Sequence, residues 1–407
     1  MFNALERLPI SETEDRIRRL RENLDCSVPG CCGAMIFSRM NLYYFCGSWV
    51  NGMLYVPLQG EPVLMVRRGL ERARLESEMK NIVPFRSFRE LPRILNDFGL
   101  ELAGRVAVEK GGLSWSLAET LQKRVDGLNY VSGDHALAAS RAVKTKWEID
   151  KLILAGKRHH DALYRIMPEY ISPGMNEREI AVTLWEIFFE LGHSGHMRMQ
   201  NFGEEIFLGH VAAGDSANYP STFNGPVGIR GQHPSELHMG YAGKVWKDNE
   251  PLVVDVGFCL EGYHTDKTQI YLPAGWSRPA VFDHAQECCR EIQSMLAERL
   301  KPGAVPAELY MMAVEKAEKE GFADGFMGLE WNRVSFVGHG IGLAIDEWPV
   351  IAKGFVEPLR ENTCMALEPK IGIPDVGMAG VENTFQVTPE GGRPLTGGEF
   401  DPVEVKG

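Results

Sequence analysis

No stretch of the sequence approaches the roughly 18 consecutive apolar residues that a membrane-spanning helix needs. The opening residues, MFNALERLPISETEDRIRRL, are charged where a secretory leader is apolar. Both absences argue against a membrane protein and predict a cytoplasmic location. Positive charge is also in short supply: 43 Lys and Arg stand against 55 Asp and Glu, for a net charge of −12. No Lys/Arg-rich stripe is available to follow a phosphate backbone, so nucleic acid is not an expected partner. Eight cysteines are present, but none has the CxxC spacing of a zinc or redox site. The adjacent pairs Cys31–Cys32 and Cys288–Cys289 read instead as packed free thiols.

What is present is a globular composition, 44% hydrophobic and 24% charged, in a chain of 407 residues. That length exceeds one ordinary core and predicts two domains. Over the first 140 or so residues, helical and strand-like segments alternate. A helix is expected around Glu14 to Leu24, with strands at Gly33 to Phe37, at Leu54 to Pro57 and in EPVLMVRR. A helix near Leu91 to Phe98, the strand RVAVEK and a helix near Ser114 to Lys123 follow. This succession predicts an α/β layer with a mixed sheet. A long amphipathic helix then begins in KTKWEIDKLILAGKRHHDALYRI, apolar at Ile149, Leu152, Ile153, Leu163 and Ile166. The boundary is placed near Ser140 to Lys144, giving domains 1–142 and 143–407.

The second domain carries an internal echo. SPGMNEREI (172–180) and KPGAVPAEL (301–309) share a Pro-Gly pair, a Glu five residues after the Gly, and a following aliphatic residue. Each leads into a helix, which points to a duplicated helix-helix-strand unit.

The residues that carry chemistry are carboxylates set where carboxylates are costly. PLVVDVGFCLEGYHTDKTQIYLP reads as a hairpin, and a turn centred between Leu260 and Glu261 places Asp255 opposite Asp266. Like charges facing each other across a ladder destabilise it unless something positive lies between them. CMALEPKIGIPDVGMAGVENTFQVT repeats the logic, since a hairpin centred on Asp375 sets Glu368 opposite Glu382, again within apolar runs. In VSFVGHGIGL, His339 lies between glycines just after an apolar strand, its ring unobstructed. Four carboxylates and an imidazole suit two divalent ions such as Mn, Fe, Co or Zn. Two such ions about 3.5–4 Å apart activate a shared water and polarise a carbonyl.

DVGFCLEGYHTDKTQ, GHGIGL, ALEPKI and GVENTFQVT resemble the metal motifs of the creatinase, prolidase and methionine aminopeptidase superfamily, with all five ligand positions in order. The resemblance implies a "pita-bread" catalytic domain over residues 143–390. NLYYFCGSW and MLYVPLQGEPVLMV resemble the smaller N-terminal domain of creatinase, prolidase and aminopeptidase P. Methionine aminopeptidases lack that domain. Carried over by position, Asp255 chelates one ion, Asp266 and Glu382 bridge, and His339 with Glu368 hold the second. Glu368 also takes the proton of the bridging water. A further substrate-contacting His is expected at His238, with His233 or His210 as alternatives. The implied protein is an Xaa-Pro aminopeptidase-like or prolidase-like hydrolase of short peptides, a homodimer like many of its relatives.

Two positions depart from the pattern. Peptidases of the superfamily carry a second His seven residues after the metal His, where this chain has Asp346 and then Glu347. A carboxylate cannot donate to a developing oxyanion unless it is protonated. Either residue is a candidate to bind a cationic substrate group, and the alternative for Asp346 is a loop cap. Prolidases also tend to carry an Arg two residues before the last Glu, and here that position is Gly380. Two other functions therefore stand beside the peptidase: a creatinase-like hydrolase or lyase acting on a small cationic compound, and a metal-free binding module.

Overall fold

A computed structural model describes residues 2–200, 206–237 and 239–406. The chain divides into two compact units, Met1–Arg141 and Ala142–Gly407. Among the described residues no helix is long and apolar enough to cross a membrane.

The first unit is built on a six-stranded sheet ordered Ile82–Pro84, Val63–Arg68, Asn51–Pro57, Cys31–Ile36, Arg105–Val108, Asn129–Ser132. The sheet is mixed: Cys31–Ile36 runs antiparallel to Asn51–Pro57 and parallel to Arg105–Val108. Met35, Met53, Tyr55, Met65, Val106 and Val108 join Phe85, Leu91 and Leu121 in one buried cluster. The first helix spans Ile10–Ser27, longer than expected at both ends. An additional helix, Arg39–Cys46, starts where the Ser38 side chain accepts from Asn41 N and stops at Gly47, whose φ of 73° suits a residue without Cβ.

The second unit opens with helix α1 (Lys146–His160), closed at its start by a capping box between Thr145 and Glu148. Ile149, Leu152 and Leu163 of the expected apolar face are buried, whereas Ile153 is 38% exposed. The chain continues through a π-helical turn at Asp161–Ile166 to α2 (Glu177–Glu190), also boxed, by Asn176 and Glu179. Strands β1 (Gly209–Ala213), β2 (Leu252–Leu260) and β3 (Tyr263–Pro273) follow. Then come α3 (Ala280–Arg299), α4 (Pro306–Lys319), β4 (Phe336–Gly340), β5 (Glu347–Ala352), β6 (Cys364–Leu367), β7 (Lys370–Ile373), β8 (Gly377–Gly380), β9 (Asn383–Thr388), β10 (Gly391–Pro394) and β11 (Val403–Val405). Helix, helix and strand thus succeed one another twice. Gly174 (φ 101°) and Gly303 (φ 93°) hold equivalent Pro-Gly turns ahead of α2 and α4.

Two sheets, ordered β11-β3-β2-β1 and β5-β4-β6-β9-β10, carry the site, with β7-β8 as a separate ribbon. Period-two alternation assigns the faces. Val254, Val256, Phe258 and Leu260 of β2 pack with α1 and α2. Val253 of β2, with Ile270 and Leu272 of β3, packs instead into the core built around α3 and α4. Asp255 shares the parity of Val253, and Asp266 that of Ile270. Both carboxylates are therefore directed to the inner face between the two halves of this unit.

Candidate metal centre

The β2–β3 hairpin closes through a two-residue turn, Glu261 (φ 51°) and Gly262 (φ 90°), with Leu260 opposite Tyr263. Two positive φ values match the twist of the strands they join. The register corrects the sequence expectation: Asp255 pairs with Thr268 and Asp266 with Gly257, a slip of two residues. Because the slip is even, both carboxylates stay on one face, as diagonal neighbours instead of direct opposites. Thr268 occupies the place expected of Asp266, with its hydroxyl 2.9 Å from Asp255 Oδ1 and 2.8 Å from Glu382 Oε2.

At the second hairpin the expected register is found. Cys364 pairs with Gln386 and Leu367 with Asn383, while further out Lys370 pairs with Gly380 and Ile373 with Gly377. Both ladders are symmetric about Asp375, so Glu368 and Glu382 face each other in the gap between them. Glu382 also bridges to Thr268 of β3, which joins the two carboxylate pairs.

His339 stands on β4, opposite Ala366 of β6. Its Nδ1 lies 3.1 Å from the carbonyl of Gly340. A carbonyl only accepts, so Nδ1 donates to it and Nε2 is directed into the cavity. Nε2 lies 3.4 Å from Glu368 Oε1 and 3.9 Å from Asp266 Oδ2. Asp266, His339 and Glu382 offer ligand atoms all within 4.8 Å of one another. These three, together with Asp255 and Glu368, line one cavity of about 220 Å³.

A residue not singled out in the sequence sits inside this cluster. The ammonium of Lys370, 0% exposed, lies 3.3 Å from Asp255 Oδ2, 3.2 Å from Glu368 Oε2 and 2.7 Å from Glu382 Oε2. The signal was its parity, since Lys370 follows Glu368 by two residues and an extended chain puts both on one side.

The pattern of metallopeptidase family M24 matches residues 150–389, and that of the creatinase/prolidase N-terminal domain matches residues 16–143. The chain belongs to metallopeptidase family M24. It is 27% identical over 362 residues to an Xaa-Pro dipeptidase of Pyrococcus furiosus, covering 88% of this chain and 91% of that one. An Xaa-Pro dipeptidase structure from Bacillus anthracis superposes with TM-score 0.79 at 20% identity, over 97% of this chain and all of the other. An X-Pro aminopeptidase structure from Thermotoga maritima gives 0.74 at 21%, over 92% and 98%. The expected superfamily, the two-part α/β fold and the metal-dependent hydrolase class are thereby borne out.

Electrostatics in this M24 cavity follow from its imbalance. Burial works to raise the Asp255 carboxyl, but Lys370, a hydrogen bond with Glu382 and the nearby His210 hold it down to about 2. Asp266 is pushed well above its usual range by burial, then by Asp255 and Glu368. Glu382 is raised likewise by burial and by Asp266. Burial lowers the Lys370 ammonium, but Asp255, Glu382 and Glu368 together raise it well above its ordinary value. One ammonium does not neutralise four carboxylates. The two that favour protons, Asp266 and Glu382, are the two that converge with His339, so the donor set fits a metal ion there.

The remaining expected residues separate. His238 lies outside the described residues. His233 is exposed, where it accepts from Ser235 N at 3.2 Å and meets Ser235 Oγ at 2.8 Å, and it is not among the described residues lining the cavity. His210, the other alternative, does line it from β1, opposite Asp255 and edge-on to Phe223. Asp346 lines the cavity and also accepts from Gln200 N at 2.8 Å, so it both faces the site and fixes a loop. Glu347 is a correction: it is buried, its Oε2 lies 3.1 Å from Lys144 Nζ, and it does not line the cavity. Gly380 pairs with Lys370 across the ribbon, and a Cβ added there would lie 2.6 Å from Lys370 Cγ. The missing Arg and the buried lysine are thus one structural feature.

Proposed function

We propose that this chain is a metal-dependent exopeptidase that removes an N-terminal residue from short Xaa-Pro peptides. The observation that carries the reading is the convergence of Asp266, His339 and Glu382 with Glu368 at the floor of one cavity. Its other wall is apolar, with Phe223, Phe336, Ile345 and Val350. Asp266, His339 and Glu382 would hold a metal ion, with Asp255 and Glu368 beside them. A bound divalent ion supplies acidity to water and polarises the scissile carbonyl. Glu368 accepts the proton of the attacking water and returns it to the leaving imino nitrogen. His210, on the cavity wall, is the donor that faces the developing oxyanion in place of His238 or His233. Asp346 receives the substrate's terminal ammonium.

Relatives named Xaa-Pro dipeptidase support the peptidase reading over a small-cation lyase or a binding module. Among the described lining residues there is no Lys or Arg to pair a dipeptide's free carboxylate. That feature favours peptides longer than two residues. The test is to supply metal-loaded protein with Xaa-Pro, Xaa-Pro-Xaa and a quaternary ammonium compound side by side. Cleavage of the tripeptide in preference to the dipeptide is expected. Turnover of the onium compound alone would replace the proposal.

A further inference from the structure

We propose that Lys370 is a built-in replacement for one metal ion: its ammonium fills the position among Asp255, Glu368 and Glu382, and the site binds a single divalent cation at Asp266, His339 and Glu382. This refines the metal-dependent reading above and rests on it.

Three observations converge. Lys370 Nζ donates to Glu382 Oε2 at 2.7 Å and Glu368 Oε2 at 3.2 Å and forms an ion pair with Asp255 Oδ2 at 3.3 Å, so one ammonium is shared by three different carboxylates. Two of those three, Asp255 and Glu382, are carboxylates that the first ion of a pair would need, since Asp255 chelates it and Glu382 bridges. A divalent ion placed there would meet an ammonium at contact distance in a buried cavity, where repulsion is poorly screened.

The stem of Lys370 is also housed by design of the ribbon. The residue is fully buried, and the strand opposite is bare at Gly380, where a Cβ would meet Lys370 Cγ at 2.6 Å and Lys370 Cα at 3.1 Å. Gln286 fixes that bare backbone by accepting from Gly380 N at 2.9 Å and donating to its carbonyl at 3.0 Å. The lysine therefore sits in a fitted slot.

The other end of the cavity remains a metal site. Asp266, His339 and Glu382 are, among the described residues, the one group of three such side chains whose ligand atoms lie within 4.8 Å of one another. His339 Nε2 is directed into it, the ring being oriented by the contact of Nδ1 with the Gly340 carbonyl. Glu382 is shared, with Oε2 on the ammonium, which leaves its second oxygen for an ion.

The experiment counts metal and uses no substrate, so it stands or fails apart from peptide turnover. Full-length protein is stripped with chelator, reloaded with Mn²⁺ or Zn²⁺, desalted and assayed by elemental mass spectrometry, with calorimetric titration for the number of sites. One ion per chain is expected in the wild type and in Lys370→Arg. Two are expected in Lys370→Met and Lys370→Ala, the second binding at least about a hundredfold more tightly than any second ion in the wild type. Two ions in the wild type, none in the wild type, or one in every variant would overturn the proposal. The wild-type count decides even where one variant fails to fold.

Discussion

Two buried lysines of the second unit make the most instructive contrast in the molecule. Lys144 and Lys370 are each about fully enclosed, and each ammonium meets carboxylate oxygen near 3 Å. Lys144 has one carboxylate, Glu347, and a carbonyl, that of Ala142 at 3.3 Å. Lys370 has three carboxylates, with Asp266 beside them. The first cluster is electrically closed and needs nothing further. The second keeps an excess of negative charge after its lysine is counted, and that excess marks a site for a ligand. A buried charge alone is weak grounds for function, whereas an unbalanced one is strong grounds.

The contrast breaks first at the glutamates. Glu368→Gln keeps an oxygen in place but removes the proton acceptor, so turnover is expected to fall by ~10²–10⁴-fold. Glu347→Gln is expected to leave turnover within a few-fold and to lose stability instead. Near-normal turnover of Glu368→Gln, measured at full metal loading, would reduce Glu368 to a ligand.

The lysines give the next effect in size. Lys144→Met removes the ammonium from beside the buried Glu347 carboxylate, and unfolding by denaturant is expected to show a loss of about 3–5 kcal/mol. Adding Glu347→Leu to Lys144→Met should recover most of it, because an apolar pair of similar volume replaces the ions. Added metal should not rescue Lys144→Met, but it should raise the melting temperature of Lys370→Met well above that in chelator. Equal rescue of both variants would erase the distinction between a closed and an open cluster.

How much of this was legible depended on sequence distance. Glu368 and Glu382 were readable because their hairpin is symmetric and short, and the register about Asp375 was found as expected. Asp255 and Asp266 were readable as a pair on one face, but not in their true register. The Glu-Gly turn at 261–262 demands two positive φ values, and it moved the centre by one residue and the pairing by two. Lys370 was within reach as well, since it stands two residues beyond Glu368 on the same arm of that hairpin. Glu347 was not readable, since its partner Lys144 lies 203 residues away and only the folded chain brings them together. A local pattern such as Asp346-Glu347 cannot tell which of two adjacent acids faces a cavity and which is closed off.

A third kind of buried polar group sharpens the contrast by having no carboxylate to hold its charge. His193 is 4% exposed, packed face-on to Phe188 and edge-on to Phe258, and Gly195 N donates to its Nδ1 at 2.8 Å. Burial, then repulsion from His196, lowers its pKa from 6.5 to about 4. The sign follows directly. The folded protein holds this ring neutral while the unfolded chain protonates it below 6.5, so its contribution is complete above pH 6.5 and is lost as pH falls toward 4. The loss amounts to at most about 1.4 kcal/mol per pH unit. His193→Asn keeps an acceptor for Gly195 N–H and does not titrate, so its unfolding free energy is expected to fall less steeply than the wild type's between pH 6.5 and 4.5. Taking the difference between the two proteins at each pH cancels the carboxylates of the metal cavity, which titrate alike in both. Parallel curves would mean that the ring takes up a proton without leaving its aromatic cage.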